Sequence, residues 1–297
     1  MRNLGSLNKF LGLHATHFSS GIHLSQTHYA KEILTKAAMT GCKPVSTPLP
    51  TVLPPDDTTT ELYSRPEFYR QIVGSLQYLT LTRPDLSFAV NYLCKHMHQP
   101  NVVHFQILKR VLRYIQGTIH LGLPIIRAPL QLTAFADSNW ASDKTDRRSI
   151  TGYCAFLGRT LISWTVKKQS SVARSSTEAE YRAISIAACD IIWLRRLLSE
   201  FQVSVCTPTK LYCDNISALA LANNPIFHAR TKHVEIDFHF IRDCIRSKYI
   251  SVHHIPTVDQ PADIFTKPLT ATRFAFLHDK LTVQPPTVIL RGADKET

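Results

Sequence analysis

The chain has 297 residues, 44% of them hydrophobic, with a formal net charge of +12 and a pI near 9.5. That is ample for a buried core, leans towards two domains, and favours a polyanionic partner, nucleic acid or an anionic membrane surface. A membrane span is excluded for want of a run of about 18 apolar residues, and Met1 to Phe10 lacks the apolar core of a signal peptide, so an intracellular setting is expected, cytoplasm and nucleus not being distinguished.

In chain order, Leu11, Leu13, Ile22 and Leu24 flank the turn signal Ser19-Ser20-Gly21, which predicts a hairpin. Ser25 then offers a cap for a helix running through Met39 and stopping at Gly41, which closes a first segment at about residue 42. Pro44, Pro48, Pro50, Pro54 and Pro55 make 43–67 a linker that cannot be helical, and the Asp56-Asp57 pair inside it reads as a solvated turn. Over 68–130 the apolar spacing predicts three helices. The first carries Ile72, Leu76 and Leu79; the second starts at Pro84 and carries Leu86, Val90 and Leu93; the third starts near His104 and carries Ile107, Val111, Leu112 and Ile115. Lys109, Arg110 and Arg113 form the third helix's basic face, open to solvent or to backbone phosphates.

From Leu132 the pattern changes. Strands are predicted at Leu132–Ala136, Tyr153–Leu157 and Leu161–Val166, with Gly158-Arg159 as a hairpin turn. A long helix over 177–201 follows, then a strand at Leu211–Cys213, a short helix from Ile216, and a helix from His233 to Ile245. A strand from Tyr249 to Ile255 leads to a short helix near Ala262, and the chain after about Lys280 reads as loosely ordered. Strands first and then alternation with helices predict an α/β fold, a mixed five-stranded sheet flanked by helices, over 131–270, with 271–297 as a tail. None of the seven cysteines forms a C-x-x-C pair, so neither a zinc knuckle nor a redox motif is indicated.

Asp137, Asp214 and Asp263 fall at predicted strand ends or helix starts, where each alone is an ordinary turn or capping residue. Together, at one edge of a sheet, such carboxylates repel one another unless hard cations sit among them. A fourth carboxylate is offered by Ser175-Ser176-Thr177-Glu178-Ala179-Glu180, in which either glutamate fits a capping box. Helical spacing separates them: Glu180 shares a face with Ile184, Ala187 and Ile191, whereas Glu178 faces Arg182 as an i, i+4 pair. Glu180 is therefore the inward one. His254 ends a strand shortly before Asp263, either as a proton shuttle or as a plain strand-end histidine. His233 and His239 do not form a zinc pattern.

Several segments taken together resemble the ribonuclease H of copia-type retrotransposons: Ala136-Asp137-Ser138-Asn139-Trp140-Ala141, Arg147-Arg148-Ser149-Ile150-Thr151-Gly152-Tyr153, Ser163-Trp164, Ser175 to Tyr181, Tyr212-Cys213-Asp214-Asn215 and Ala262-Asp263-Ile264-Phe265-Thr266-Lys267-Pro268-Leu269. Upstream, Leu24-Ser25-Gln26, Cys42-Lys43-Pro44, Gly74 to Leu79, Thr82-Arg83-Pro84-Asp85 and Leu108 to Tyr114 resemble the end of the reverse transcriptase and its connection. The resemblance implies that 1–42 is the end of a reverse transcriptase, 68–130 a helical thumb or connection region, and 131–270 a ribonuclease H domain. It further implies cleavage of the RNA strand of RNA–DNA hybrids with two Mg²⁺ ions, for which Mn²⁺ can substitute.

Carried over by motif, Asp137, Glu180, Asp214 and Asp263 are the metal-binding and catalytic carboxylates, Asp137 bridging both ions, with His254 as accessory histidine. Recognition of the 2′-OH falls to the region of Glu180, and Lys167, Lys168, Arg174, Arg147 and Arg148 are candidates to hold phosphates. The family's Tyr-x-Asp-Asp polymerase hairpin has no counterpart, so the chain reads as part of a longer polyprotein that does not polymerise DNA by itself. Two rival readings stand beside the enzyme: a non-catalytic nucleic-acid-binding relic, and a remnant whose first 130 residues expose apolar surface made for a missing polymerase.

Overall fold

The computed structural model describes residues 7–54, 61–223 and 235–286; the predicted turn at Asp56-Asp57 and His233 lie outside them. The first hairpin forms as the turn signal requires, with β1 (Lys9–Phe10), β2 (Leu13–Phe18) and β3 (Gly21–Ser25) antiparallel in that order. An unpredicted strand, β4 (Leu123–Ile126), completes this sheet by pairing with β3. At four residues, one of them Pro124, β4 is too short and mixed to show a period of two.

Helix α1 (Thr27–Lys36) departs from expectation at both ends. Ser25 is the last residue of β3, and Gln26 takes the N-cap position without capping. Its Oε1 accepts instead from Thr82 Oγ1 at 2.9 Å. The helix stops short of Met39 because Ala38 turns into the left-handed region at φ 52°, and the Met39 N–H closes back onto the Leu34 carbonyl at 2.8 Å.

The Pro-rich stretch that follows is strapped down by the basic face of α4 (Val102–Gly117). Arg110 Nη2 donates to Thr47 Oγ1 at 2.8 Å, and Arg113 Nε donates to the Lys43 carbonyl at 2.7 Å. Lys109 lies 5.2 Å from the centroid of the Phe105 ring. Two of the three cations open to solvent or phosphate on the sequence reading are thus spent inside the chain.

Helices α2 (Pro66–Leu79), α3 (Ser87–Lys95, entered through a 3-10 turn at Pro84–Leu86) and α4 bury the apolar stripes that the spacing predicted. Helix α4 begins at Val102, two residues ahead of His104; Asn101 is its N-cap, accepting from the His104 N–H while its own N–H donates to His104 Nδ1.

The second sheet contains β5 (Leu132–Asn139), β6 (Ile150–Leu157), β7 (Thr160–Lys168), β8 (Thr209–Cys213) and β9 (Ile250–His254), in the order β7-β6-β5-β8-β9. The β5-β6-β7 meander is antiparallel, while β5-β8 and β8-β9 are parallel. Gly158-Arg159 makes the β6–β7 turn, with Gly158 at φ 61°. This is the mixed five-stranded α/β arrangement of a ribonuclease H-like fold.

Alternation along its strands feeds two cores. Leu132, Ala134, Ala136, Tyr153 and Ala155 face α5 (Ser176–Glu200), α6 (Ile216–Asn223) and α7 (Glu235–Arg246). Phe135, Cys154, Phe156 and Leu161 face the other way, into one cluster with Ile72, Leu76, Leu86 and Leu112. The apolar stripes of α2–α4 are therefore buried within the chain, in one cluster with this face of the sheet, which corrects the expectation that they await a polymerase surface. Residues expected as a tail also join that cluster: α8 (Ala271–Lys280) buries Phe274 and Leu277, Leu281 and Val283 are buried, and Gln284 pairs with Gly122.

Candidate active site

Four carboxylates reach one region from four elements. Asp137 lies inside β5, which runs two residues past it rather than ending there. Asp214 follows β8 directly, Asp263 sits in a 3-10 turn over Pro261–Phe265, and Glu180 projects from the first turns of α5. Carboxylate oxygens of Asp137, Asp214 and Asp263 lie within 4.8 Å of one another, and Glu180, Asp214 and the Cys213 sulfur form a second such group. Asp214 is common to both. His254 lies on β9, exposed and in register with Cys213, beside this cluster rather than in it.

Local structure explains the convergence. Ser175 caps α5 by accepting from the Glu178 N–H at 3.2 Å, which fixes the rotation of the helix. Glu178 is turned to Arg182 (2.6 Å) and to the Arg174 N–H (2.8 Å), although it is as buried as its neighbour. Glu180 points inward, accepting from the Ser138 N–H at 3.2 Å and from the Cys213 thiol at 3.5 Å. On the far side, Gln260 Nε2 donates to the Ala136 carbonyl at 2.9 Å and pins the Asp263 turn to β5. Gln169 Nε2 joins β5, β6 and α5 through Ser138 Oγ, Thr151 Oγ1 and the Ala179 carbonyl.

Burial and mutual repulsion govern the charge. Desolvation, then the neighbouring Asp137 and Asp214, push the Glu180 carboxyl well above its ordinary range. Asp137 is also raised, first by burial; Lys267 opposes this and Asp263 and Asp214 add to it. Burial, with Glu180 next, pushes the Cys213 thiol above its ordinary range. Beside this one sulfur the donor set is four carboxylates, hard oxygens that fit Mg²⁺ or Mn²⁺.

Sequence reasoning assigned no role to several residues here. Lys267 Nζ lies 2.9 Å from Asp263 and 3.5 Å from Asp137. Thr266 Oγ1 donates to Asp137, Thr257 Oγ1 to Asp214 at 2.8 Å, and Arg273 Nη2 to Asp263 at 3.1 Å. The i, i+4 spacing of Asp263 and Lys267 was a readable signal; the contacts of Arg273 and Thr257 depend on tertiary packing. Among the proposed phosphate contacts, Lys168 is held by Asp143 at 2.5 Å and Asp146 at 2.7 Å, and Arg148 pairs with Asp146 at 3.5 Å. Lys167 and Arg174 are exposed.

No protein-family model matches the chain. It is 45% identical over 289 residues to the Arabidopsis thaliana retrovirus-related Pol polyprotein from transposon RE1, and 44% identical over 278 residues to that from transposon RE2. These alignments cover 95% and 93% of this chain, which spans 19% of the length of each relative. Among solved structures, LC11-RNase H1 in complex with an RNA/DNA hybrid aligns with 46% of this chain and 94% of its own, at 13% identity and a TM-score of 0.36. No helix of the described residues is long and apolar enough to cross a membrane.

Proposed function

The chain belongs to the retrovirus-related Pol polyproteins of copia-type transposons, and from that premise we propose that its ribonuclease H-type domain cuts the RNA strand of RNA–DNA hybrids with divalent metal ions. The observation that carries this reading is the meeting of Asp137, Asp214 and Asp263 within 4.8 Å, with Glu180 against the same aspartate. Four buried or half-buried carboxylates at one rim are electrostatically unfavourable without cations, and such an arrangement is the one that phosphodiester hydrolysis needs.

Asp137, Glu180, Asp214 and Asp263 would together hold the ions, with Asp214 in both groups of converging ligand atoms. Bound there, a pair of hard ions supplies an activated water and stabilises the departing 3′ oxygen. The chain's own part is to fix the carboxylates. The Ser138 N–H orients Glu180, Thr266 orients Asp137, and Thr257 orients Asp214. His254, exposed on β9 and in register with Cys213, would exchange a proton with the leaving group. Contacts from the Glu180 region to the 2′-OH would select RNA, while Lys167 and Arg174 would hold phosphates in a sequence-independent, salt-sensitive way. Other parts of the polyprotein are the natural protein partners.

The test is cleavage of a labelled RNA–DNA hybrid in Mg²⁺, Mn²⁺ or EDTA. Asp137→Asn is expected to abolish product while leaving hybrid affinity largely intact. Retained cutting by that variant would remove Asp137 from the mechanism. Tight binding by the wild-type chain with no product in either ion would favour the non-catalytic reading.

A further inference from the structure

Lys267 departs from what a divalent-ion site requires. Its ammonium sits against Asp263 at 2.9 Å and Asp137 at 3.5 Å, which is the space between carboxylates where a cation belongs. Arg273 also reaches Asp263, but its guanidinium donates in addition to the carbonyls of Thr257 (2.6 Å) and Val258, which anchor it as part of the wall. Lys267 is different: it follows the Asp263 turn on a flexible stem, and its side chain is 33% exposed, so it has a route to solvent that disturbs no packed residue.

We propose that Lys267 is an internal counter-ion that occupies the carboxylate cluster and that incoming divalent ions displace. This rests on the reading of the cluster as a metal site and adds a specific property to it. A +1 charge among buried carboxylates relieves their repulsion and keeps the metal-free fold assembled. The same charge, a few ångströms from an incoming ion, opposes its binding through the low-dielectric interior. Ion affinity is thereby held down by the protein itself, and occupancy depends on the ammonium swinging outward, to the side from which a polyanion approaches.

The experiment uses the full chain, with Mn²⁺ or Mg²⁺ alone as probe. Calorimetric titration of wild type, Lys267→Met and Lys267→Arg should show the Met variant binding ions about tenfold tighter or more, with Arg close to wild type. Melting in EDTA should be lower for Lys267→Met, so that one substitution weakens the metal-free protein and strengthens the loaded one. A readout on the unmodified chain covers the case in which the Met variant does not fold. Acylation of Lys267, followed by peptide mass spectrometry, should be slow in EDTA and several-fold faster in saturating Mg²⁺. Ion binding by wild type with unchanged affinity in Lys267→Met, or unchanged acylation, overturns the counter-ion proposal and leaves the metal site standing. No ion binding by wild type or by Lys267→Met overturns both.

Discussion

Arg83 and Asp85 form a bidentate ion pair that is almost wholly shut off from water, Nε to Oδ1 at 2.9 Å and Nη2 to Oδ2 at 2.7 Å. Asp85 also accepts from Tyr114 Oη at 2.8 Å, and Arg83 donates to Thr118 Oγ1 and to the Thr118 carbonyl, each at 2.8 Å. Burial opposes both charges, yet each partner holds the other ionised: Asp85 is depressed and Arg83 raised. Asp85 and Lys267 line one small cavity, so this network lies directly behind the segment that carries Asp263.

Asp85→Ala therefore leaves a buried guanidinium without its carboxylate. A loss of about 3–5 kcal/mol is expected, since breaking a buried pair strands the surviving charge. Urea denaturation followed by far-UV circular dichroism checks it; a loss under about 1 kcal/mol would mean that water reaches Arg83.

Gly152 stands opposite Asp137 in the β5–β6 register. A Cβ there would meet Phe265 Cβ at 2.6 Å, Thr266 Cγ2 at 2.7 Å and the Ala262 carbonyl at 3.2 Å. Gly152→Ala should push the Asp263 turn off the sheet, costing about 1–3 kcal/mol and weakening ion binding in the same variant. Calorimetry and thermal melting on one sample test both effects.

The raised carboxyls of Asp137 and Glu180 set a pH dependence. Between their ordinary range and their folded values, the folded chain holds more protons than the unfolded one, so stability falls as pH rises through that window. Melting in EDTA should drop from pH 5 to pH 8, and Mg²⁺ should raise the melting temperature more at pH 8 than at pH 5. Glu180→Gln should flatten the EDTA profile. An EDTA melting temperature that climbs over this range would contradict the assignment.

His254→Ala removes an exposed ring, so its melting temperature should stay within the range of a surface change, about ±0.5 kcal/mol. If His254 exchanges protons during cleavage, the rate should fall about 10²-fold or more while hybrid affinity holds. An unchanged rate would leave His254 as a plain strand-end residue.

Elements with a strong period, such as the stripes of α2 to α5 and the strands of the second sheet, could be read directly because one face of each is buried. The Glu178–Glu180 choice followed from helical spacing, and Ser138 and Arg182 take the two side chains in opposite directions. What stayed hidden was set by partners far away in sequence. β4 exists because β3 offers it an edge, α8 because Phe274 and Leu277 find a core, and the Arg110 and Arg113 contacts because the Pro-rich stretch lies against them. Ser25 and Ala38 show the same thing locally: a residue suited to capping was taken by a strand, and a left-handed turn ended α1 early.

Both faces of the second sheet feed a core. Phe135, Cys154, Phe156 and Leu161 share one cluster with side chains that come before residue 131, such as Leu76 and Leu112, and with others after residue 260, such as Ile264 and Phe265. The second-sheet domain excised at the compositional border near Leu132 would lose part of that cover, present apolar surface to water and aggregate, or collapse around it. Anyone seeking the smallest folded piece should keep the preceding helices, since the boundary visible in the amino-acid pattern is not a line along which the protein can be cut.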